Sequence, residues 1–305
     1  LRKFNKIQAL THMKINKLNS QNIFWLASYP KSGNTMLRLF LSLYFFSEDG
    51  TLNDFNVIKN INNLNNYKNY EKLKDIPPLD SFVSNPEIIS NYWLRAQKKI
   101  IEQHPKKILF FKTHNAQISF NSLNFTNSSV TRGFIYIVRD PRSVLLSTMD
   151  HYHHKNYEDA AKYLLSDKHI TYVKGNFLPE FILSWKSHFL SWKGFLNENK
   201  NLGLIIKYED MVQRSKETFL DILSFFQTKI NFDIDLKKFT NAVDAIQFKK
   251  LKKLEKEISF DEKANRAKNF FRKGIVDEWK SVLPKSIANN IKKSFEEEMR
   301  DLNYD

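Results

Sequence analysis

Lys31, Ser32 and Thr35 surround Gly33 in the run Tyr29-Pro30-Lys31-Ser32-Gly33-Asn34-Thr35-Met36, between an apolar segment and a helical one. One cation and two hydroxyls are gathered there. A helix start adds unpaired backbone N–H groups and the positive end of a dipole, which suits a phosphate. The usual nucleotide loop, G-x-x-x-x-G-K-[ST], is absent, because the lysine precedes the glycine. These residues predict a phosphorylated ligand held by a non-standard loop.

Three further segments carry reactive or charged groups. Lys112-Thr113-His114 follows an apolar run, which puts a histidine at a strand end; by spacing alone a lone histidine there is more often structural than catalytic. Arg139-Asp140-Pro141-Arg142 leads to Ser147 two turns into the next helix, and Arg139 beside Asp140 is open to an ion-pair reading. Arg272-Lys273-Gly274 places two cations before a glycine, by itself a generic basic loop. His151-Tyr152-His153-His154 lacks partners at metal-ligand spacing, so no metal site is expected.

Short apolar strands must position these groups. Asn22 to Ser28, Lys107 to Lys112, Gly133 to Val138 and Gly203 to Lys207 read as strands. Thr35 to Phe46 reads as a helix with Leu37, Phe40, Leu41 and Tyr44 on one face. Asp140 and Pro141 form a strong helix start, with Asp140 as N-cap. Pro86 to His104 and Asn176 to Asn197 are predicted helices, the second carrying Phe177, Phe181, Trp185, Phe189 and Trp192 as a core stripe. Asn53 to Asn69 shows no period. Strands alternating with long helices predict an α/β fold, a central parallel sheet flanked by helices. Ligands bind such sheets at the carboxyl ends of the strands, where the first three of these charged segments fall.

The 305 residues are 42% hydrophobic and 14% aromatic, a globular composition. Residues 1–21 read as a polar, basic N-terminal extension and 22–305 as one domain. A net charge of +15 favours anionic partners, although lysine runs such as Lys249 to Lys253 also read as solvated helix faces. Nothing resembles a nucleic-acid module. The absence of cysteine excludes disulfides and thiolate chemistry. The longest apolar run, Leu39 to Phe46, is far short of the ~20 residues of a membrane span. With no signal-peptide pattern, a soluble cytoplasmic chain is expected.

Taken together in order, these segments resemble the soluble sulfotransferases, of cytosolic and bacterial type, that use 3′-phosphoadenosine 5′-phosphosulfate. Tyr29 to Thr35 resembles their 5′-phosphosulfate loop, and Ile135 to Ser147 their 3′-phosphate motif. Arg272-Lys273-Gly274 with Trp279-Lys280 resembles their C-terminal cofactor motif, and Lys112-Thr113-His114 their catalytic-histidine segment. Tyr208-Glu209-Asp210 matches a segment whose tyrosine approaches the adenine. The five cover residues 22 to 280.

The resemblance implies a P-loop-like nucleotide-binding fold and a metal-independent enzyme moving a sulfuryl group to a hydroxyl-bearing acceptor, a small molecule or glycan. It implies that His114 is the general base, Lys31 the stabiliser of the leaving oxygen, and Lys112 a holder of sulfuryl oxygens. Lys31, Ser32, Gly33, Asn34 and Thr35 would take the 5′ side of the cofactor. Arg139, Ser147, Arg272, Lys273 and Gly274 would take the 3′-phosphate, and Met36, Tyr208 and Phe248 the adenine. His151 and His154 would lie near the acceptor, as would Leu64 to Asn85 and Glu257 to Asn269. Departures exist: Met36 stands where animal members often have tryptophan, and Asp277-Glu278-Trp279 replaces Gly-Asp-Trp. No dimerisation motif follows Lys280. The alternatives are a non-catalytic nucleotide- or polyanion-binding protein on the same fold and, third, a kinase or NTPase.

Overall fold

Alternation along the first strand sets the architecture. In β1 (Ile23–Ser28), Ile23, Trp25 and Ala27 pack into one apolar core, while Phe24 and Leu26 pack into another. All six residues are buried, as a strand covered on both faces requires. The computed structural model describes residues 21–172, 175–258, 260, 262, 270–271 and 274–304. Apart from Gln21, the N-terminal extension lies outside the described residues.

β1 is the middle of a five-stranded, wholly parallel sheet with β2 (Asn62–Asn63), β3 (Leu109–Thr113), β4 (Thr131–Val138) and β5 (Gly203–Lys207). The order is β2-β3-β1-β4-β5. Four strands match the sequence expectation to within two residues at each end. The fifth, β2, lies in the Asn-rich stretch that shows no period. It is two residues long and one-sided, so local pattern cannot reveal it; its register, Asn62 against Phe111 and Asn63 against Lys112, is set by the neighbour.

The helices that matter here are α1 (Asn34–Phe46), α2 (Ser90–Gln103), α3 (Pro141–Tyr152), α4 (Trp185–Glu198), α5 (Tyr208–Gln213) and α6 (Phe248–Glu257). Asp140 caps α3, its carboxylate accepting from the Arg142 N–H (2.8 Å), with Pro141 in the first turn. Two predicted helices start later than expected. Pro86–Ile89 is a 3₁₀ turn ahead of α2. The 176–184 stretch is extended, because Glu180–Phe181 pairs antiparallel with Ile170–Thr171 and Ser184 caps α4 through the Ser187 N–H (3.1 Å). Phe181 and Trp185 remain in the core, whereas Phe177 is released to the wall of a cavity.

Candidate functional site

The sharp exit from β1 builds the centre of the site. Lys31 (φ 66°) and Gly33 (φ 104°) are both left-handed. A Cβ on Gly33 would stand 2.5 Å from Cδ2 of Tyr208, so glycine is required by conformation and by space. Asn34 turns its side chain back to β1, its Nδ2 donating to the Leu26 carbonyl (2.9 Å) and lying 3.3 Å from Ser28 Oγ. Asn34 thus braces the loop through its Nδ2, while its Oδ1 is buried with no partner among the described residues. Ser32 lies under the loop, 1% exposed, and its Oγ has no partner among the described residues.

A cavity of about 450 Å³ opens over the carboxyl ends of the strands. Lys31, Gly33, Asn34, Thr35 and Met36 line it from the β1–α1 turn; Lys112 and His114 from the end of β3; Arg139 and Ser147 from β4 and α3. Tyr208, Phe248 and Gly274 complete one side, and His151 lines it from the end of α3. Ser32 and His154 do not line it. His154 packs against the rings of Tyr152 (6.0 Å) and Tyr163 (5.4 Å). Arg272 and Lys273, and most of Glu257 to Asn269, lie outside the described residues.

Arg139 is set by three contacts. Its Nη1 donates to the Lys31 carbonyl (3.0 Å), its guanidinium lies 4.2 Å from the Tyr208 ring centre, and its carbonyl accepts from Trp185 Nε1 (3.1 Å). Its Nε is buried without a partner among the described residues. Asp140 pairs with Arg142 (2.7 Å) rather than with Arg139, so the arginine of the motif is directed to the loop. Gly274 (φ 64°) abuts Phe248: a Cβ there would come within 2.4 Å of that ring.

His114 is held by backbone. Its Nδ1 lies 2.7 Å from the Ser28 carbonyl, which can only accept, so Nδ1 carries the proton and Nε2 keeps its lone pair. Burial, followed by the nearby Lys112 charge, pushes the His114 pKa well below 6.5. The same enclosure lowers the Lys112 pKa, with Arg38 contributing. His151 is brought down to about 4 by burial and then by Lys31. Neutral imidazoles beside cations are what this arrangement favours.

Two carboxylates belong to the site and escaped sequence reasoning. Glu180 is 6% exposed, and its Oε1 accepts the His114 N–H (2.8 Å). Burial raises its pKa, against the pull of Lys112. The one visible signal was an acid inside the apolar run Phe177 to Ile182. Glu262 accepts from Arg38 (2.6 Å) and from the Thr35 hydroxyl (3.2 Å) at the start of α1. Burial opposes ionisation of Glu262, but Arg38, Lys112 and Thr35 outweigh it and hold the carboxyl below its ordinary value. Asn63 and Asn65 also line the cavity.

Three cations, a lone-pair nitrogen and the orphaned Arg139 Nε around one cavity fit an anionic ligand next to a base. No group of three or more His, Asp or Glu side chains that would hold a metal occurs among the described residues. No helix among them is long and apolar enough to cross a membrane.

The chain is similar to known sulfotransferases in sequence and in fold. Cytosolic sulfotransferase 12 of Arabidopsis thaliana is 24% identical over 189 residues, covering 61% of this chain but only 56% of that protein. Cytosolic sulfotransferase 6 of the same plant is 22% identical over 280 residues, 90% of this chain and 78% of that protein. Among solved structures, retinol dehydratase in a complex with retinol and PAP aligns at TM-score 0.60 and 18% identity, over 93% of this chain and 83% of that one. Mouse sulfotransferase SULT7A1 complexed with PAP aligns at TM-score 0.54 and 19% identity, over 94% and 86%. The structural likenesses establish the fold. The sulfotransferase domain model matches residues 21–303, nearly the whole chain, and this chain therefore belongs to the sulfotransferase domain family.

Proposed function

We propose that the chain transfers a sulfuryl group from 3′-phosphoadenosine 5′-phosphosulfate to an acceptor hydroxyl by in-line displacement, without a metal. The observation that carries this reading is the meeting of Lys31, Lys112, His114 and Arg139 on one cavity at the sheet's carboxyl edge. The PAP named in the two solved relatives supports the same donor here.

The described residues fit that donor. The Asn34 and Thr35 N–H groups precede the first bonds of α1, which Met36 and Leu37 make to the Gly33 carbonyl (3.0 and 3.3 Å), and with Lys31 they suit the 5′ phosphosulfate. The buried, unpartnered Arg139 Nε and the neighbouring Ser147 suit the 3′-phosphate, which charge-assisted bonds from arginine distinguish from a plain 5′-nucleotide. Arg272, Lys273 and Gly274 extend that subsite in the family reading. Tyr208, Met36 and Phe248 offer the adenine its ring and thioether contacts. When bound, the donor supplies an activated sulfuryl group on a phosphate leaving group.

His114 Nε2 takes the proton of the acceptor hydroxyl as its oxygen bonds to sulfur. Such a base is worth about 10²–10⁴-fold. Lys31 meets the negative charge that grows on the bridging oxygen as its bond to sulfur breaks, an interaction strongest in the transition state. Lys112 holds the non-bridging oxygens, and His151 stands at the acceptor.

Calorimetric titration with adenosine 3′,5′-bisphosphate, ATP and AMP, with and without magnesium, tests the donor. Metal-independent binding of the bisphosphate, much tighter than AMP, is the expected result. Binding of ATP alone, and only with magnesium, would move the chain to another activity.

A further inference from the structure

The order β2-β3-β1-β4-β5 separates the two ends of the cavity. The groups assigned to the donor follow β1, β4 and β5. Beyond β3, on the opposite side of the transfer point, the wall comes from the segment after β2 and from the Ile170–Thr171/Glu180–Phe181 ribbon. That wall is rich in hydrogen-bond acceptors.

Asn65 is 4% exposed, and its Nδ2 is committed to the Leu178 carbonyl (3.4 Å), which orients the amide. Its Oδ1 is left buried with no partner among the described residues, and so is that of Asn63, beside Lys112 in the β2–β3 register. The segment is not free to turn away. The Leu178 N–H donates to the Asn65 carbonyl (2.8 Å), and Asn66 bridges to Phe177. Glu180 adds a buried carboxylate whose Oε1 takes only the His114 N–H, with Thr171 opposite it in the ribbon. Phe177, Ile182 and the Tyr152 ring stand among these polar groups on the cavity wall. Both amide oxygens are already closed to water, so an apolar acceptor would leave their unmet hydrogen bonds, about 1–3 kcal/mol each, in place, whereas a hydroxyl that reaches and donates to them removes that cost. An ammonium would instead meet Lys112, which already faces the Glu180 carboxylate.

We propose that the acceptor is a hydroxyl-dense molecule of sugar or polyol type, selected by Asn63, Asn65 and Glu180 through the hydrogen bonds its additional hydroxyls donate. This inference rests on the sulfuryl-transfer reading and goes beyond it in naming the acceptor class.

The test compares two phenyl-bearing six-membered-ring probes, the polyhydroxylated phenyl β-glucoside and the single-hydroxyl 4-phenylcyclohexanol, with 3′-phosphoadenosine 5′-phosphosulfate as donor. The glucoside is expected to have the larger kcat/KM. Asn65→Leu is expected to cut the glucoside-to-cyclohexanol ratio of kcat/KM by about ten-fold. Glu180→Gln keeps an oxygen for the His114 N–H, so it guards against a folding failure at Asn65; it should lower the same ratio, through KM for the glucoside. A wild-type preference for phenylcyclohexanol, no turnover of the glucoside, or ratios unchanged in both variants would overturn the inference. Calorimetry with adenosine 3′,5′-bisphosphate separates the two readings. Intact bisphosphate binding with the wrong acceptor preference sinks only the acceptor class, whereas lost binding in the wild-type protein sinks the transfer reading itself.

Discussion

His188 Nε2 lies 3.0 Å from the backbone carbonyl of His114, and His188 Nδ1 lies 2.8 Å from the Tyr136 hydroxyl. A carbonyl can only accept, so His188 carries its proton on Nε2 and receives the tyrosine hydroxyl on Nδ1. One buried histidine thus fixes the backbone of another, while the Glu180 carboxylate fixes its N–H. The arrangement makes His188 a positioning residue. Replacing it with phenylalanine keeps the volume but removes the bond to His114. The expected result is a fall in kcat of about ten-fold or more with KM for the donor little changed. A KM effect alone, measured by steady-state kinetics, would show that His188 serves only packing.

The proton on His114 Nδ1 leaves Nε2 as the base, and the base must be unprotonated to work. Because burial and Lys112 hold its pKa well below 6.5, activity is lost only as pH falls through that lowered value. The acid limb of the kcat/KM profile is therefore expected below pH 6.5. His114→Ala should remove most turnover while bisphosphate binding persists. A limb at or above the ordinary histidine range would contradict the assignment.

Gly33→Ala should be among the most damaging single-methyl changes in the chain. The added Cβ meets Tyr208 at 2.5 Å and the residue must hold φ 104°. Tyr208 in turn underlies the Arg139 guanidinium, so the disturbance spreads from the loop to the second anion subsite. Bisphosphate affinity should fall by at least ten-fold, with a loss of stability of about 1–3 kcal/mol from the strained backbone. Calorimetry and thermal unfolding measure the two effects separately.

Glu262 places a negative charge against Thr35 and Arg38, where the donor's 5′ side is proposed to bind. Glu262→Gln removes that charge and preserves hydrogen-bonding groups for both partners. Bisphosphate should bind several-fold more tightly at low salt, with the gain shrinking as salt is added. Weaker binding would mean that the carboxylate organises the subsite rather than opposing an anion there.

Acid should destabilise the fold before it reaches the carboxylates. Burial lowers His188 to about 3, and His151 and His169 to about 4, from an ordinary 6.5. Folding keeps these rings neutral, so their stabilising contribution is complete above pH 6.5 and is lost as pH falls from there toward those lowered values. The melting temperature should therefore decline measurably between pH 6.5 and pH 4. A flat profile over that window would show that the rings titrate normally in the folded chain.

By itself the sequence determined four of the five strands of the main sheet, the strand-end motifs and the helix start at Asp140-Pro141, because each rests on short-range physics. Apolar alternation, proline geometry and side-chain capping act over a few neighbouring residues, and they are legible in order along the chain. The ordered run of motifs, through its resemblance to the family, nominated Lys31, Lys112, His114, Arg139 and Ser147. Only the tertiary structure decided what lies between them. Strand β2 exists because Asn62 and Asn63 meet the edge of β3, 46 or more residues away in sequence. Glu180 enters the site because its segment pairs as a ribbon instead of continuing the helix its aromatic spacing suggested. His188, which no local motif singles out, gains its role from a carbonyl 74 positions earlier. Contacts at such separations follow from packing the whole sheet, and no local pattern encodes them.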